Sequence, residues 1–197
     1  MNNLVEIVIP AHNEEYNIPV IYSAINKALA KTNYTFKVLF VDDGSTDGTL
    51  RAIQDLSNHN DNVIYISLSR NFGHQNALKA GLDASSADIV IMMDADMQHP
   101  PSLIPALLKS HEEGFYVVYT VRKDNEHISF IKKYTAKMFY SLMNYLSEIE
   151  IEPGSADFRL MNRKTLDALL LMPDQEIFYR GLAVSYTHLT LPTKRIV

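Results

Sequence analysis

The sequence predicts an α/β domain with a mostly parallel central sheet flanked by helices on both faces. Three observations predict it. Short apolar runs alternate with amphipathic stretches from residue 4 to residue 121. The runs are near-continuous rather than alternating, as strands covered on both faces require. Each of the first four also ends in a polar cluster, and in open parallel sheets ligands gather beyond the carboxyl ends of the strands.

Each element follows from its own pattern. Residues 4–9 are the first apolar run and the first expected strand. Residues 17–31 carry Ile18, Ile21, Ile25, Ala28 and Leu29 at helical spacing. Residues 36–41 (FKVLFV) are the second strand, and 47–56 a helix with Leu50, Ile53 and Leu56 on one face. Residues 63–68 (VIYISL) form the third strand, 74–84 a helix, and 89–93 the fourth strand. Pro101 suits the first turn of a helix reaching about residue 113. Residues 115–121 are the fifth strand. Beyond residue 125 the rhythm changes to a long helix over 127–147, a loop at Pro153 and Gly154, a short strand at 158–161 and a helix at 163–171. The expectation is one domain over residues 1–183, incomplete at its C-terminal end.

Composition narrows the functional classes. The chain has 197 residues, 47% of them hydrophobic, enough for one domain with a real core. It contains no cysteine, which removes disulfides, thiol nucleophiles and thiolate metal sites. A net charge of -5 gives no basic footprint for nucleic acid. The opening MNNLVEIVIP lacks the plan of a signal peptide, and no apolar run approaches the roughly 18 residues of a membrane span. The chain as given therefore reads as soluble and cytoplasmic. Residues 184–197 (VSYTHLTLPTKRIV) resemble a translated sequencing-adapter end. They are set apart as a non-native tail, the alternative being a natural strand such as THLTLP; on the first reading the natural protein continues past Ala183.

The polar strand ends carry the chemistry. Neither G-x-G-x-x-G nor G-x-x-x-x-G-K-[ST] occurs, which argues against dinucleotide and P-loop sites. Asp94-Ala95-Asp96 closes the fourth strand. If the chain stays extended there, Asp94, Asp96 and Gln98 face one side. Two carboxylates so close repel unless a cation lies nearby, and a hard ion such as Mg²⁺ takes one or two carboxylates plus substrate phosphates. Asp94, Asp96 and Gln98 are thus the expected metal ligands. The competing reading makes Asp96 a cap for the helix that begins at Pro101.

The segment DDGSTDG (42–48) starts like a calcium loop, but its twelfth position is Gln54 rather than a bidentate Glu. Capping by Ser45 or Thr46 accounts for part of it. Asp42 and Asp43 are left to accept hydrogen bonds from a base or ribose. His74 and His99 sit beside the motifs without a partner at ligand spacing and receive no role.

The motifs IVIPAHNEE, FVDDGSTDGT, SRNFGHQNALKAGL, MDADMQHPP and SADFRLMNR, spanning about residues 4–171, resemble the inverting GT-A glycosyltransferases of family 2. The match is strongest to the polyprenyl-phosphate branch. The resemblance implies a GT-A fold in which Pro10, His12 and Glu14 line the nucleotide base, with Val41 and Asp43. It implies that Asp94 and Ala95 approach ribose and diphosphate, that Asp96 and Gln98 bind Mg²⁺ or Mn²⁺, and that Arg122 reaches the donor. Asp157 matches the acceptor-side acid, giving Asp157 and Asp96 as the expected catalytic pair. The family commonly has Tyr or Phe where His12 stands and Gly where Ala156 stands.

The implied reaction moves a hexose from a UDP-glucose-like or GDP-mannose-like donor to a polyprenyl phosphate. The alternatives are a family 2 enzyme with a saccharide or other hydroxyl acceptor, and a donor-binding fragment without catalysis. An amphipathic basic helix over residues 127–147, with Lys132, Lys133 and Lys137 off its apolar stripe, either packs on its own core or, as the resemblance implies, lies on the inner face of a membrane.

Overall fold

The computed structural model describes residues 4–121, 155–171 and 192–196, with backbone alone for 155–157. The elements in chain order are β1 (Leu4–Ala11), α1 (Asn17–Leu29), β2 (Thr35–Asp42), α2 (Thr49–His59), β3 (Val63–Ser67), α3 (His74–Ala84) and β4 (Ile89–Met92). A 3₁₀ turn (Pro101–Leu103) leads into α4 (Ile104–Glu112), followed by β5 (Val117–Val121) and β6 (Ser155–Asn162). Then come α5 (Arg163–Leu170) and β7 (Thr193–Ile196). The expected elements are present with end shifts of one to three residues. The expected helix over 127–147 and loop at 153–154 lie outside the described residues.

One seven-stranded sheet runs β3-β2-β1-β4-β6-β5-β7. β1 pairs in parallel with β2 and β4, and β2 with β3. β6 is antiparallel to both neighbours, β4 and β5. β7 adds in parallel to the edge of β5, so the tail set apart in the sequence carries an edge strand.

Side-chain parity divides the core in two. Val5, Ile7 and Ile9 of β1, Val38 and Phe40 of β2, and Ile89 and Ile91 of β4 face α1, α2 and α4. Val8, Leu39, Val41, Val90 and Met92 face α3 and α5. Alternate residues pointing to opposite faces is the period of a strand, and it sets which helix each strand-end residue meets. α5 begins at Asn162, whose side chain accepts from the Thr165 amide at 2.9 Å, an N-cap.

α3 lies unusually close to the sheet. A Cβ added to Gly81 would fall within 3.0 Å of Val8 Cγ1 and Val41 Cγ2. Gly81→Ala should therefore lower stability by about 1–3 kcal/mol; a urea midpoint equal to wild type would show that the helix can retreat freely.

A second prediction concerns α4. The Tyr34 hydroxyl donates to Glu112 at 2.8 Å. Burial, then that carboxylate, raises its pKa from 10.0 to about 12. The protonated form is favoured by folding, so this contribution is intact below the unfolded value of 10.0 and is lost as pH climbs through about 12. Tyr34→Phe should remove that part of the alkaline stability slope, measured as the wild-type minus variant difference from pH 9 to 12.

Candidate functional site

Strand order decides where a ligand can sit. The chain winds outward from β1 to β3, then returns to lay β4 on the other edge of β1. The helices that follow β1 and β4, α1 and α4, both pack on one face of the sheet, and the carboxyl ends of these strands carry a crevice on the other, α3 face. A cavity of about 600 Å³ lies there, within the range of small-molecule sites. Pro10, His12, Glu14, Asp43, Asp94, Ala95 and Asp96, all expected from the sequence, line it.

Parity explains the convergence. His12, Asp43 and Asp94 continue the face of Val8, Val41 and Met92, the face that α3 covers. The loop ahead of α3 and the first residues of that helix close the cavity, through Asn71, His74 and Gln75.

The loops hold one another in register. The Asn13 amide donates to Ser45 Oγ at 3.0 Å, and the Thr46 amide to Asn13 Oδ1 at 2.9 Å. The Glu14 amide donates to Thr49 Oγ1 at 2.7 Å, and the Gly48 amide to the Glu15 carboxylate at 3.2 Å. The first turn of α2 is met by Asp47, which accepts from the Thr49 amide at 3.0 Å. That corrects the expectation of capping by Ser45 or Thr46, which serve the β1 loop instead. Gly44 sits at φ 62° where a Cβ would overlap the backbone of Arg70 and Asn71, so glycine is required for these two loops to touch.

Asp42 and Asp43, left open by the sequence, are buried at 2% exposure. Asp42 accepts from the Ser45 amide and the Ser67 hydroxyl. Asp43 accepts from the amides of Phe72 at 2.8 Å and Gly73 at 2.9 Å, one per oxygen. Its carbonyl faces His12 Nδ1 at 2.9 Å. A carbonyl only accepts, so Nδ1 carries the proton. Nε2 then faces the side-chain amides of Asn71 at 3.1 Å and Asn13 at 3.3 Å. The His12 ring is pinned rather than free to turn.

Asp94 meets two histidines that sequence reasoning left unassigned. His74 Nε2 donates to its Oδ1 at 2.8 Å, and buried His99 brings Nε2 to 3.6 Å from Oδ2. The His99 ring packs on Phe158 of β6 at 5.7 Å between centroids. Burial alone would raise the Asp94 pKa; the hydrogen bonds and charges of His74 and His99 outweigh it and hold the carboxyl well below the usual range. The findable signal was parity: even-numbered residues of β4 face the helix that His74 opens.

Two expected residues do not line the cavity. Val41 is fully buried beneath α3. Gln98 is exposed, because the chain does not stay extended. It turns at Ala95 and Asp96, Met97 takes φ 59°, and the Gln98 amide donates to Asp96 Oδ1 at 3.0 Å. The parity argument thus holds for Asp94 and fails beyond it. Asp96 spends an oxygen on this turn, and the 3₁₀ turn at Pro101 has no side-chain cap. Met97 and Asn13 are the non-glycine residues at positive φ among those described, and both sit in cavity loops. Such backbone is costly for Met.

Arg122 lies outside the described residues, as does the Asp157 side chain. The backbone still locates Asp157. Met92 of β4 pairs with Arg159 of antiparallel β6. Two residues beyond that pair, Asp94 past the end of β4 and the backbone of Asp157 within β6 lie toward the same edge of the sheet.

Residues 6–170 match the family model described as glycosyl transferase family 2. The chain belongs to glycosyl transferase family 2. It is 39% identical over 176 residues to an uncharacterized glycosyltransferase of Synechocystis sp., covering 89% of this chain and 55% of that protein. It is 36% identical over 178 residues to a bactoprenol glucosyl transferase of Shigella phage SfV, covering 90% and 58%. The chain thus spans little more than half the length of these curated relatives. Among solved structures, the mannosyltransferase PcManGT from Pyrobaculum calidifontis, in complex with GDP-Man and Mn²⁺, aligns with a TM-score of 0.67 at 17% identity, covering all of this chain and 55% of that one. Glucosyl-3-phosphoglycerate synthase from Mycobacterium tuberculosis aligns at 0.57 and 21% identity, covering 82% and 57%. The fold of this family 2 chain is GT-A-like.

The cavity suits a cation as part of a larger shell. Hard divalent ions take one or two carboxylates and complete their coordination with phosphate oxygens and water. Asp94 and Asp96 line the cavity and could supply such carboxylates. Among the described residues no group of three or more His, Asp or Glu could hold an ion by itself.

Asp43 gives this subsection its prediction. Asp43→Ala strands two amides and should cost about 2 kcal/mol or more. Hydrogen exchange should accelerate at Phe72 and Gly73 before it does at β1; unchanged protection there would mean that the loop is held by other contacts.

Proposed function

We propose that this domain binds a nucleotide-diphosphate sugar in the cavity between β1 and β4 and transfers its hexose, with inversion, to a polyprenyl phosphate. The observation that carries this reading is the pair of carboxylates, Asp94 and Asp96, at the β1–β4 crevice of a family 2 chain. Likeness to a bactoprenol glucosyl transferase supports the lipid acceptor.

Asp94 and Asp96 would hold Mg²⁺ or Mn²⁺ together with the donor diphosphate. Bound there, the ion supplies charge neutralisation for the leaving group. Pro10, His12 and Glu14 line the part of the cavity nearest β1, where the base and ribose would lie. Arg122 follows β5 directly in the chain, and we assign it to the donor as well. Asp157 faces the acceptor. A hydroxyl acceptor needs a general base, whereas a phosphate monoester with a second pKa near 6 is already largely anionic at neutral pH. For a polyprenyl phosphate, Asp157 then orients the acceptor. No helix among the described residues is long and apolar enough to cross a membrane; we assign membrane contact to the segment 127–147.

Calorimetry with UDP and GDP, with and without Mn²⁺, tests the donor site, and labelled sugar appearing in butanol-extractable lipid tests the reaction. Asp96→Ala should reduce the Mn²⁺-dependent part of nucleotide affinity at least tenfold. Asp157→Asn should abolish transfer and leave donor affinity unchanged; equal loss of both would assign it a structural role. Transfer to soluble saccharides alone would remove the lipid acceptor. Binding without any transfer would favour a donor-binding unit, in keeping with a chain that spans 55% of the Synechocystis relative.

A further inference from the structure

Asp94 is the cavity carboxylate flanked by two histidines. His74 donates to Oδ1 at 2.8 Å, and His99 stands 3.6 Å from Oδ2. The two contacts fall on different oxygens, so they fix the plane of the carboxylate as well as its charge. His74 is itself braced, since the Gln75 side-chain amide lies 3.3 Å from its Nδ1. That amide turns its nitrogen to the ring and leaves Oε1 buried with no hydrogen-bond partner among the described residues. A buried carbonyl oxygen without a partner costs free energy, so the bracing of the ring is maintained against that cost.

We propose that His74, braced by Gln75 and opposed across the carboxylate by His99, is a positioning residue that aims Asp94 into the cavity for a divalent cation. The inference rests on the donor-site reading above and adds the residue through which that site is oriented. With the Gln75 amide nitrogen donating to Nδ1, the ring carries its proton on Nε2 and donates it to Asp94. The histidine does not exclude the ion. A carboxylate offers about four lone-pair sites, and His74 takes one. A carboxylate held by a fixed donor also loses less freedom when an ion binds, so preorganisation favours binding.

His74→Leu, His74→Gln and wild type should be compared by Mn²⁺ titration in the presence of UDP or GDP, whichever the wild type binds, followed by electron paramagnetic resonance of free Mn²⁺. Glutamine keeps an N–H that can reach the carboxylate; leucine keeps only bulk. The leucine variant should bind Mn²⁺ about tenfold or more weakly, while the glutamine variant should stay within about threefold of wild type. Nucleotide affinity in chelator, measured for each of the three, is the baseline against which the Mn²⁺ effect is read. His99→Gln against His99→Leu repeats the contrast at the buried position, with thermal melting to report folding.

Leucine binding Mn²⁺ as tightly as wild type, or more tightly, would overturn the proposal, because the histidine would then be idle or a competitor. Glutamine doing no better than leucine would overturn it too. A wild-type chain that binds nucleotide without any Mn²⁺ dependence would sink the cation reading itself, and this inference with it. That result is told apart from the others because it appears before any variant is made.

Discussion

Burying the Asp94 carboxylate costs free energy that only a hydrogen-bond donor or a cation can offset. The rest of the site is arranged around that cost. β4 is four buried residues between β1 and β6, so the strand cannot slide to carry Asp94 into water. Its parity turns Asp94 to the α3 face, and α3 is held close to the sheet because residue 81 has no side chain. His74, the first residue of that helix, therefore arrives within hydrogen-bond reach. A glycine in a helix packed on β1 and a charged residue at the end of β4 are parts of one arrangement.

The loops are coupled in the same way. Asp43, at the end of β2, accepts the two amides just ahead of α3 and so fixes where the helix starts. Its carbonyl also fixes His12 at the end of β1. Three strand ends are thus tied by hydrogen bonds to one helix start, through buried Asp43, half-buried His12 and Asp94, and exposed His74. Such networks specify one arrangement when complete and fail together when broken. A ligand site gains from that rigidity, since binding energy is lost to every loop that must be ordered on contact.

The fold was legible in the sequence because its signals are local. Apolar runs over 4–9, 36–41 and 89–93 gave the parallel strands, and the polar residues after them gave the edge where the cavity lies. What was not legible depended on contacts across long separations. His74 and Asp94 are 20 residues apart, and their meeting follows only once strand parity and the face covered by α3 are combined. The expectation for Gln98 failed for the opposite reason, a local one. It assumed an extended chain through Asp96, but the approach to Pro101 demands a turn, and Met97 adopts a left-handed conformation to make it. Val41 was placed near the base by the family resemblance alone, and parity turns it under α3. The antiparallel course of β6 had no sequence signal, since an apolar run reads the same in both directions.

That antiparallel strand carries a consequence for chemistry. In a purely parallel sheet, every strand arrives at the ligand edge by its carboxyl end, and the residues presented there follow apolar runs. β6 runs the other way beside β4, so it is the amino end of β6 that reaches the same edge. Residues 155–157 precede its apolar run, which is why an acidic residue can stand before Phe158 without interrupting the core. Asp94 and Asp157, 63 positions apart in sequence, come to the same edge on adjacent strands because one strand is reversed. In the proposed reaction, a donor carboxylate and an acceptor-side carboxylate need to flank one reacting bond. A single reversed strand next to the strand-order switch brings them to the same edge without any long loop having to hold them there.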